Sequence, residues 1–288
     1  MHVENLAIFD LSFESRDFES VLSNAEPEVK ANLSQVISIG VICNAATFKG
    51  DAPTTEKSGE KSIVGNATGN YISGYLTCSS HAMRLDMAIL RLCDTLTSAE
   101  TIRNTWINVF RKSFNSKTKY MLQLSKLSSE SRLDDESPIS PLASWDDFKL
   151  GTFLLTVKGA PEVLLDYCSH VLDPTGGPPV ELGLAERQRI TQVQEKWSSQ
   201  GQRVLLLARR VITDEYLSTY SDRQPEDFAN VVEGYMRDLI IVGLVGLIDP
   251  LKPDIKQTVR YNWFKIPNLN PDHSLLAFVA AQAFVSLL

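Results

Sequence analysis

Three short strings hold residue types that can grip a flat, phosphorylated ligand. Phe114-Asn-Ser-Lys-Thr-Lys119 leads into an alternating apolar segment, Lys158-Gly-Ala-Pro-Glu162 ends a second, and Asp249-Pro-Leu-Lys252 follows a third. An aromatic ring beside a polar loop offers a face on which a base can stack. Lys119 and Lys158 bring ammonium charges for phosphate oxygens. Gly159 has no Cβ, so a ligand can approach the backbone there. Each string alone has a plainer reading. A phenylalanine before a strand is usually core, a Lys-Gly pair usually a turn, and Asp-Pro a common strand terminator. Their joint order is the signal.

These strings need elements to position them. Tyr120, Leu122 and Leu124 alternate with Gln123 and Ser125, which predicts a strand after the Phe114 loop. The run from Gly151 to Lys158 predicts a second strand. Pro161 then sits at a favoured first helical position, with Glu162 at the positive helix end. Val163, Leu164, Tyr167, Cys168 and Val171 are expected on the buried face of that helix. Helical periods also run from Leu33 to Phe48, with a polar end at Asn44, and from Asp86 to Leu96. Thr97-Ser-Ala-Glu100 matches a capping box and predicts a helix to about Phe110. A helix over 184–199 places Ile190, Val193 and Trp197 on one side, and Arg203–Ile212 and Leu239–Ile248 read as central strands. Residues 49–70 read as a surface loop and 128–147 as an acidic connection between strands. The fold class is therefore α/β of the α+β type: a twisted, mainly antiparallel sheet flanked by helix pairs.

Composition narrows the function classes. The 288-residue chain carries a net charge of -7, without the basic field that nucleic-acid binding usually needs. Cys43, Cys78, Cys93 and Cys168 form no Cys-x-x-Cys pair, and the four histidines complete no metal-ligand spacing with them, so no protein-bound metal site is expected. Ser58-Gly-Glu-Lys-Ser62 lacks the Gly-x4-Gly-Lys-Ser/Thr spacing of a phosphate loop, and neither a dinucleotide fingerprint nor a nucleophile elbow occurs. The start carries acidic residues in place of a basic signal-peptide n-region. The apolar run Leu275–Leu288 falls short of the roughly 18–20 residues of a membrane span, so the chain is expected to be soluble on its own.

In their order, Cys43-Asn44, Asp86-Met-Ala-Ile-Leu90, Phe114-Asn-Ser-Lys-Thr-Lys119, Lys158-Gly-Ala-Pro-Glu162, Gly201-Gln-Arg-Val-Leu205 and Gly246-Leu-Ile-Asp-Pro250 cover roughly residues 33–260. Together they resemble the nucleotide-binding domain of P-type cation-transporting ATPases, in the sodium/potassium-pump-like branch found in fungi. The resemblance implies that the chain binds ATP, supplied as Mg-ATP in the full-length family. It implies that Phe114 stacks on adenine, Asp86 faces the adenine amino group, and Lys119 and Lys158 contact the nucleotide. Gly159 and Ala160 become the close-approach backbone, and Arg203 the arginine that reaches the phosphates. Asp249 and Pro250 match the start of the hinge strand toward the phosphorylation domain, although Leu251 and Lys252 depart from the family's Asp-Pro-Pro-Arg.

The same resemblance marks departures. The chain has no Asp-Lys-Thr-Gly-Thr string to accept a phosphoryl group and no Thr-Gly-Asp or Gly-Asp-Gly-x-Asn-Asp string. It is thus expected to hold nucleotide without turning over. The phosphorylation, actuator and transmembrane domains would be partners in the full-length family, on the cytoplasmic side of a membrane. The expected organisation is a lead-in over 1–32, the nucleotide-binding domain over 33–248, a hinge remnant over 249–260 and an apolar tail unlike the family over 261–288. Within the domain, residues 69–85 read as an insertion between Gly65-Asn-Ala-Thr68 and the Asp86 helix. Two alternatives stay open: a nucleotide-free interaction protein, and a nonfunctional product of a misread gene.

Overall fold

In a computed structural model of the chain, the described residues are 1–14, 17–48, 63–65, 81–128, 152–213, 217 and 227–249. The strands are β1 (His2–Ile8), β2 (Leu11–Glu14), β3 (Ala46–Phe48), β4 (Ile63–Gly65), β5 (Trp106–Lys112), β6 (Tyr120–Leu127), β7 (Phe153–Gly159), β8 (Cys168–Val171), β9 (Val180–Glu181), β10 (Arg203–Ile212) and β11 (Leu239–Ile248). The helices are α1 (Phe18–Asn24), α2 (Pro27–Ile42), α3 (His81–Leu96), α4 (Ala99–Thr105), α5 (Pro161–Leu164), α6 (Leu184–Ser199) and α7 (Phe228–Gly234).

The main sheet runs β2-β1-β11-β10-β7-β6-β5. Every neighbour on that path is antiparallel. β8 adds in parallel to the Leu239–Ile241 part of β11, while β1 pairs with Leu244–Ile248. β3 and β4 form a separate two-stranded ribbon. β7 is buried at all seven positions because helices cover both sides of mid-sheet, which explains its unbroken apolar run. One face packs Met121, Leu154, Leu207, Val242 and Val245 against α2, α3 and α4. The other packs Leu122, Leu155, Leu206 and Leu244 against Leu164, Ile190, Trp197, Phe228 and Val232. The expected mainly antiparallel sheet with helices on it is therefore the observed architecture.

Element ends differ from expectation in four places, and within the expected surface loop 49–70 the described residues Ile63–Gly65 form β4, paired with β3. The α2 helix stops at Ile42, and Ala46–Phe48 forms β3 where the helix was expected to continue. The α4 helix begins where the capping box predicts, with Ser98 Oγ accepting from Thr101 N–H at 3.3 Å. It ends at Thr105, not near Phe110, because Trp106-Ile-Asn-Val-Phe110 is β-branched and aromatic and pairs with β6. The helix after Pro161 is a single turn that tightens over 165–167, and Cys168–Val171 is captured by β11 as a strand. Tyr167, expected to be buried, is exposed. The α3 helix starts at His81, so the last residues of the expected insertion are helical and residues 69–80 lie outside the described ones. The segment 1–32 supplies β1, β2, α1 and the first turns of α2. Apart from Ser128, the acidic connection 128–147 lies outside the described residues, as do 250–260 and the tail 261–288.

Candidate functional site

The ends of four adjacent strands make one rim of the sheet. β6 begins at Tyr120, opposite Gly159 at the end of β7, and Gly159 in turn faces Leu206 near the start of β10. β5 ends at Lys112, opposite Leu122, and Phe114 lies two residues beyond. The loop from Phe114 to Lys119 is held by Asn115. Its Oδ1 accepts the Lys117 N–H at 2.9 Å and its carbonyl accepts the Lys119 N–H at 2.6 Å. Lys119 adopts a φ of 58°, a left-handed conformation uncommon outside glycine. Its carbonyl then accepts the Ala160 N–H at 3.1 Å, tying the loop to the end of β7.

A Cβ added to Gly159 would lie 2.6 Å from the Lys119 carbonyl oxygen and 2.8 Å from the Tyr120 Cβ. The missing side chain therefore gives room to the neighbouring strand. From the sequence alone, that room is expected to serve a ligand. Phe114 is 42% exposed, with its ring open to a partner. The Lys119 ammonium reaches Glu162 at 3.3 Å, and both side chains are about half exposed, so the pair contributes little to stability and is easily exchanged.

Behind the rim lies a buried ion pair. Lys158 alternates onto the face of Leu154 and Thr156, under α3, and its Nζ meets Asp86 Oδ1 at 2.5 Å. Lys158 and Asp86 are 4% and 5% exposed. Charges so buried persist only when paired and hydrogen-bonded. Asp86 Oδ2 accepts the Ala45 N–H at 2.8 Å, and the Asp86 carbonyl accepts from Asn44 Nδ2 at 2.9 Å. Asn44 also donates to the Gly40 carbonyl and accepts from Ala46 N–H, closing the end of α2. Cys43 packs beside this cluster, its thiol 3.6 Å from the Met121 carbonyl. Burial pushes that thiol up to about 11, against the lowering effect of the Lys158 charge.

Arg203 is exposed at the start of β10, opposite Leu247, on the face that Leu205 and Leu207 share with Lys158. Its guanidinium makes no side-chain hydrogen bond or ion pair among the described residues. The structure thus joins Lys158 to Asp86, and Lys119 to Gly159 and Ala160, and leaves Phe114 and Arg203 open on the same rim. Asp249 directly follows β11, and Pro250 lies outside the described residues. Asn44, Ala45 and Glu162 were not among the expected site residues. The Cys43-Asn44 string was the available signal for the first two. Among the described residues, no group of three His, Cys, Asp or Glu residues can hold a metal ion. No helix among them is long and apolar enough to cross a membrane.

Comparison with known proteins agrees with this frame. The Aspergillus fumigatus endoplasmic reticulum calcium ATPase srcA is 24% identical over 80% of this chain and 21% of its own length. Calcium-transporting ATPase 1 of Yarrowia lipolytica is 23% identical over 80% of this chain and 18% of its length. The human potassium-transporting ATPase alpha chain 2 is 24% identical over 93% of this chain and 22% of its length. The chain therefore spans about a fifth of each of these relatives. A family profile described as P-type ATPase, cytoplasmic domain N, matches residues 32–254, and the chain belongs to that family.

Proposed function

We propose that this chain is the ATP-holding domain of a cation-transporting P-type ATPase. The observation that carries the reading is the shared rim, where the open Phe114 ring, the Lys119 loop, the Gly159–Ala160 backbone and Arg203 lie along adjacent strand ends in front of the Lys158–Asp86 pair. Adenine stacks on Phe114. Lys119 releases Glu162 to meet the nucleotide, and Arg203 reaches the phosphates. Asp86, with both carboxylate oxygens engaged by Lys158 and the Ala45 N–H, orients the Lys158 ammonium at the inner end. ATP arrives as Mg-ATP, which is substrate. The chemistry of phosphoryl transfer belongs to phosphorylation and actuator domains outside this chain, and the ion path to transmembrane domains, so the domain works on the cytoplasmic face of a membrane. The motif strings favour the sodium/potassium-pump-like fungal branch within a family whose relatives here are named for calcium and potassium.

Stacking contributes about 1–3 kcal/mol and each charge-assisted hydrogen bond about 1.5–3 kcal/mol. Translational and ordering costs offset most of this. A net of roughly -4 kcal/mol corresponds to a Kd of about 1 mM. The test is an ATP titration of the purified chain by NMR, beside Phe114→Ala and Arg203→Gln, two exposed positions whose replacement leaves the core intact. Millimolar binding weakened in both variants is the expected result. A folded wild-type chain that binds no ATP, or binds it equally well without the Phe114 ring, refutes the proposal and favours the nucleotide-free interaction protein.

A further inference from the structure

A second cluster of positive charge lies apart from that rim, at the corner between α4 and β5. A cavity of about 350 Å³ opens there, lined by Arg103, Arg111, Asn108, Gln123, Trp106 and Ile42. It shares no residue with the candidate nucleotide site. Its volume is at the lower end of the range for small-molecule sites, roughly 300–1,000 Å³.

The charge in this cavity is unbalanced. Arg103 uses one terminal nitrogen, donating to the Ala46 carbonyl at 2.7 Å and the Val41 carbonyl at 3.5 Å. Arg111 uses only Nε, donating to Gln123 Oε1 at 2.8 Å. These acceptors are all neutral, and among the described residues neither arginine has a carboxylate within ion-pair distance. A guanidinium has five N–H donors, so most donors on both side chains remain for a ligand. Both arginines are half-buried, so water screens them incompletely. Burial and then the neighbouring Arg111 charge push the Arg103 guanidinium down from its usual range, with the more distant Asp86 charge opposing them.

We infer that the cavity between α4 and β5 is an anion site for a small phosphate monoester, separate from the nucleotide rim. Two guanidiniums call for about two negative charges, which a phosphate monoester carries near neutral pH and a single carboxylate does not. Guanidinium forks match phosphate oxygens two at a time. The Asn108 amide adds a neutral donor. Ile42 and Trp106 add apolar surface to the lining, which suits a compact carbon body on the ester.

The test is a titration of the 288-residue chain with phenyl phosphate and, separately, inorganic phosphate, followed through the Trp106 indole N–H signal in NMR spectra. A saturable shift is expected, tighter for phenyl phosphate. Arg111→Gln, which gives up a single bond to Gln123, weakens binding by about tenfold or more. Asn108→Asp, at an exposed edge position, places a competing carboxylate in the cavity and weakens binding by a similar factor. Phe114→Ala leaves it unchanged, whatever that variant does to ATP. The inference is overturned by the absence of a saturable shift, by unchanged binding in either cavity variant, or by loss of binding in Phe114→Ala. Equal affinity for the two phosphates overturns the assignment to an ester.

Discussion

Replacing Lys158 with methionine tests the pair on which the inner end of the site depends. Methionine keeps most of the stem volume and removes the charge. Asp86 Oδ2 keeps the Ala45 N–H, and Oδ1 loses the partner it has at 2.5 Å. The carboxylate is then left buried, about 5% exposed, without a counter-charge. Breaking a buried pair from one side costs about 3–5 kcal/mol, because the survivor stays desolvated. At about 2–4 °C per kcal/mol for a domain of this size, Tm falls by roughly 6–20 °C.

Asp86→Asn leaves the Lys158 ammonium stranded and carries a similar cost. The double variant, with no charge at either position, recovers most of the loss. The coupling energy in that cycle, the two single losses together less the loss in the double, is therefore expected to be about 4 kcal/mol or more. The assay is urea unfolding of the four proteins, with the slope checked for constancy so that a midpoint shift reads as stability. Losses in the two single variants that simply add, or a Lys158→Met protein within about 1 kcal/mol of wild type, would mean that Lys158 reaches solvent or another acid, and the argument from burial fails.

Further expectations follow from the same geometry. Gly159→Ala forces β6 and β7 apart at the rim, so it should cost about 1–3 kcal/mol and weaken ATP binding without touching Phe114 or Arg203; a neutral effect would show that the Lys119 loop yields freely. The thiols of Cys43, Cys93 and Cys168 are pushed up from 9.0 to about 11, about 12 and about 12, in each case chiefly by burial. The unfolded chain loses those protons first, so stability is fully present below pH 9.0 and is lost as pH rises through 11 to 12. The slope is up to about 1.4 kcal/mol per pH unit for each thiol, readable from denaturant midpoints across that window. At pH 8 a thiol reagent is expected to modify these three cysteines only as fast as the domain opens, and fast labelling of any of them would contradict the buried cluster. Ser98→Ala should cost about 0.5–1 kcal/mol through loss of the α4 cap, seen as a small shift in the urea midpoint.

The strands of mid-sheet were legible because they are apolar on both faces. Phe153–Gly159, Arg203–Ile212 and Leu239–Ile248 all lie within a residue or two of where the sequence puts them. Errors fall where local preference and tertiary pairing disagree. Trp106-Ile-Asn-Val-Phe110 can continue a helix from the Ser98 cap or pair as a strand, and the neighbouring Leu122–Leu127 decides for the strand. Cys168–Val171 carries an apolar spacing that fits a helix, yet the open side of β11 captures it in parallel. The pairing of β1 with Leu244–Ile248 has no local signal at all, because the partners stand at opposite ends of the described chain. The site shows the same division. The strings that carry Phe114, Lys119, Lys158 and Arg203 lie at strand ends, as their local patterns predict. The Lys158–Asp86 contact has no such local pattern, because it exists only once α3 lies across the face of β7. The role of Gly159 was read as space for a ligand, and the close approach of Lys119 and Tyr120 gives that space to the neighbouring strand.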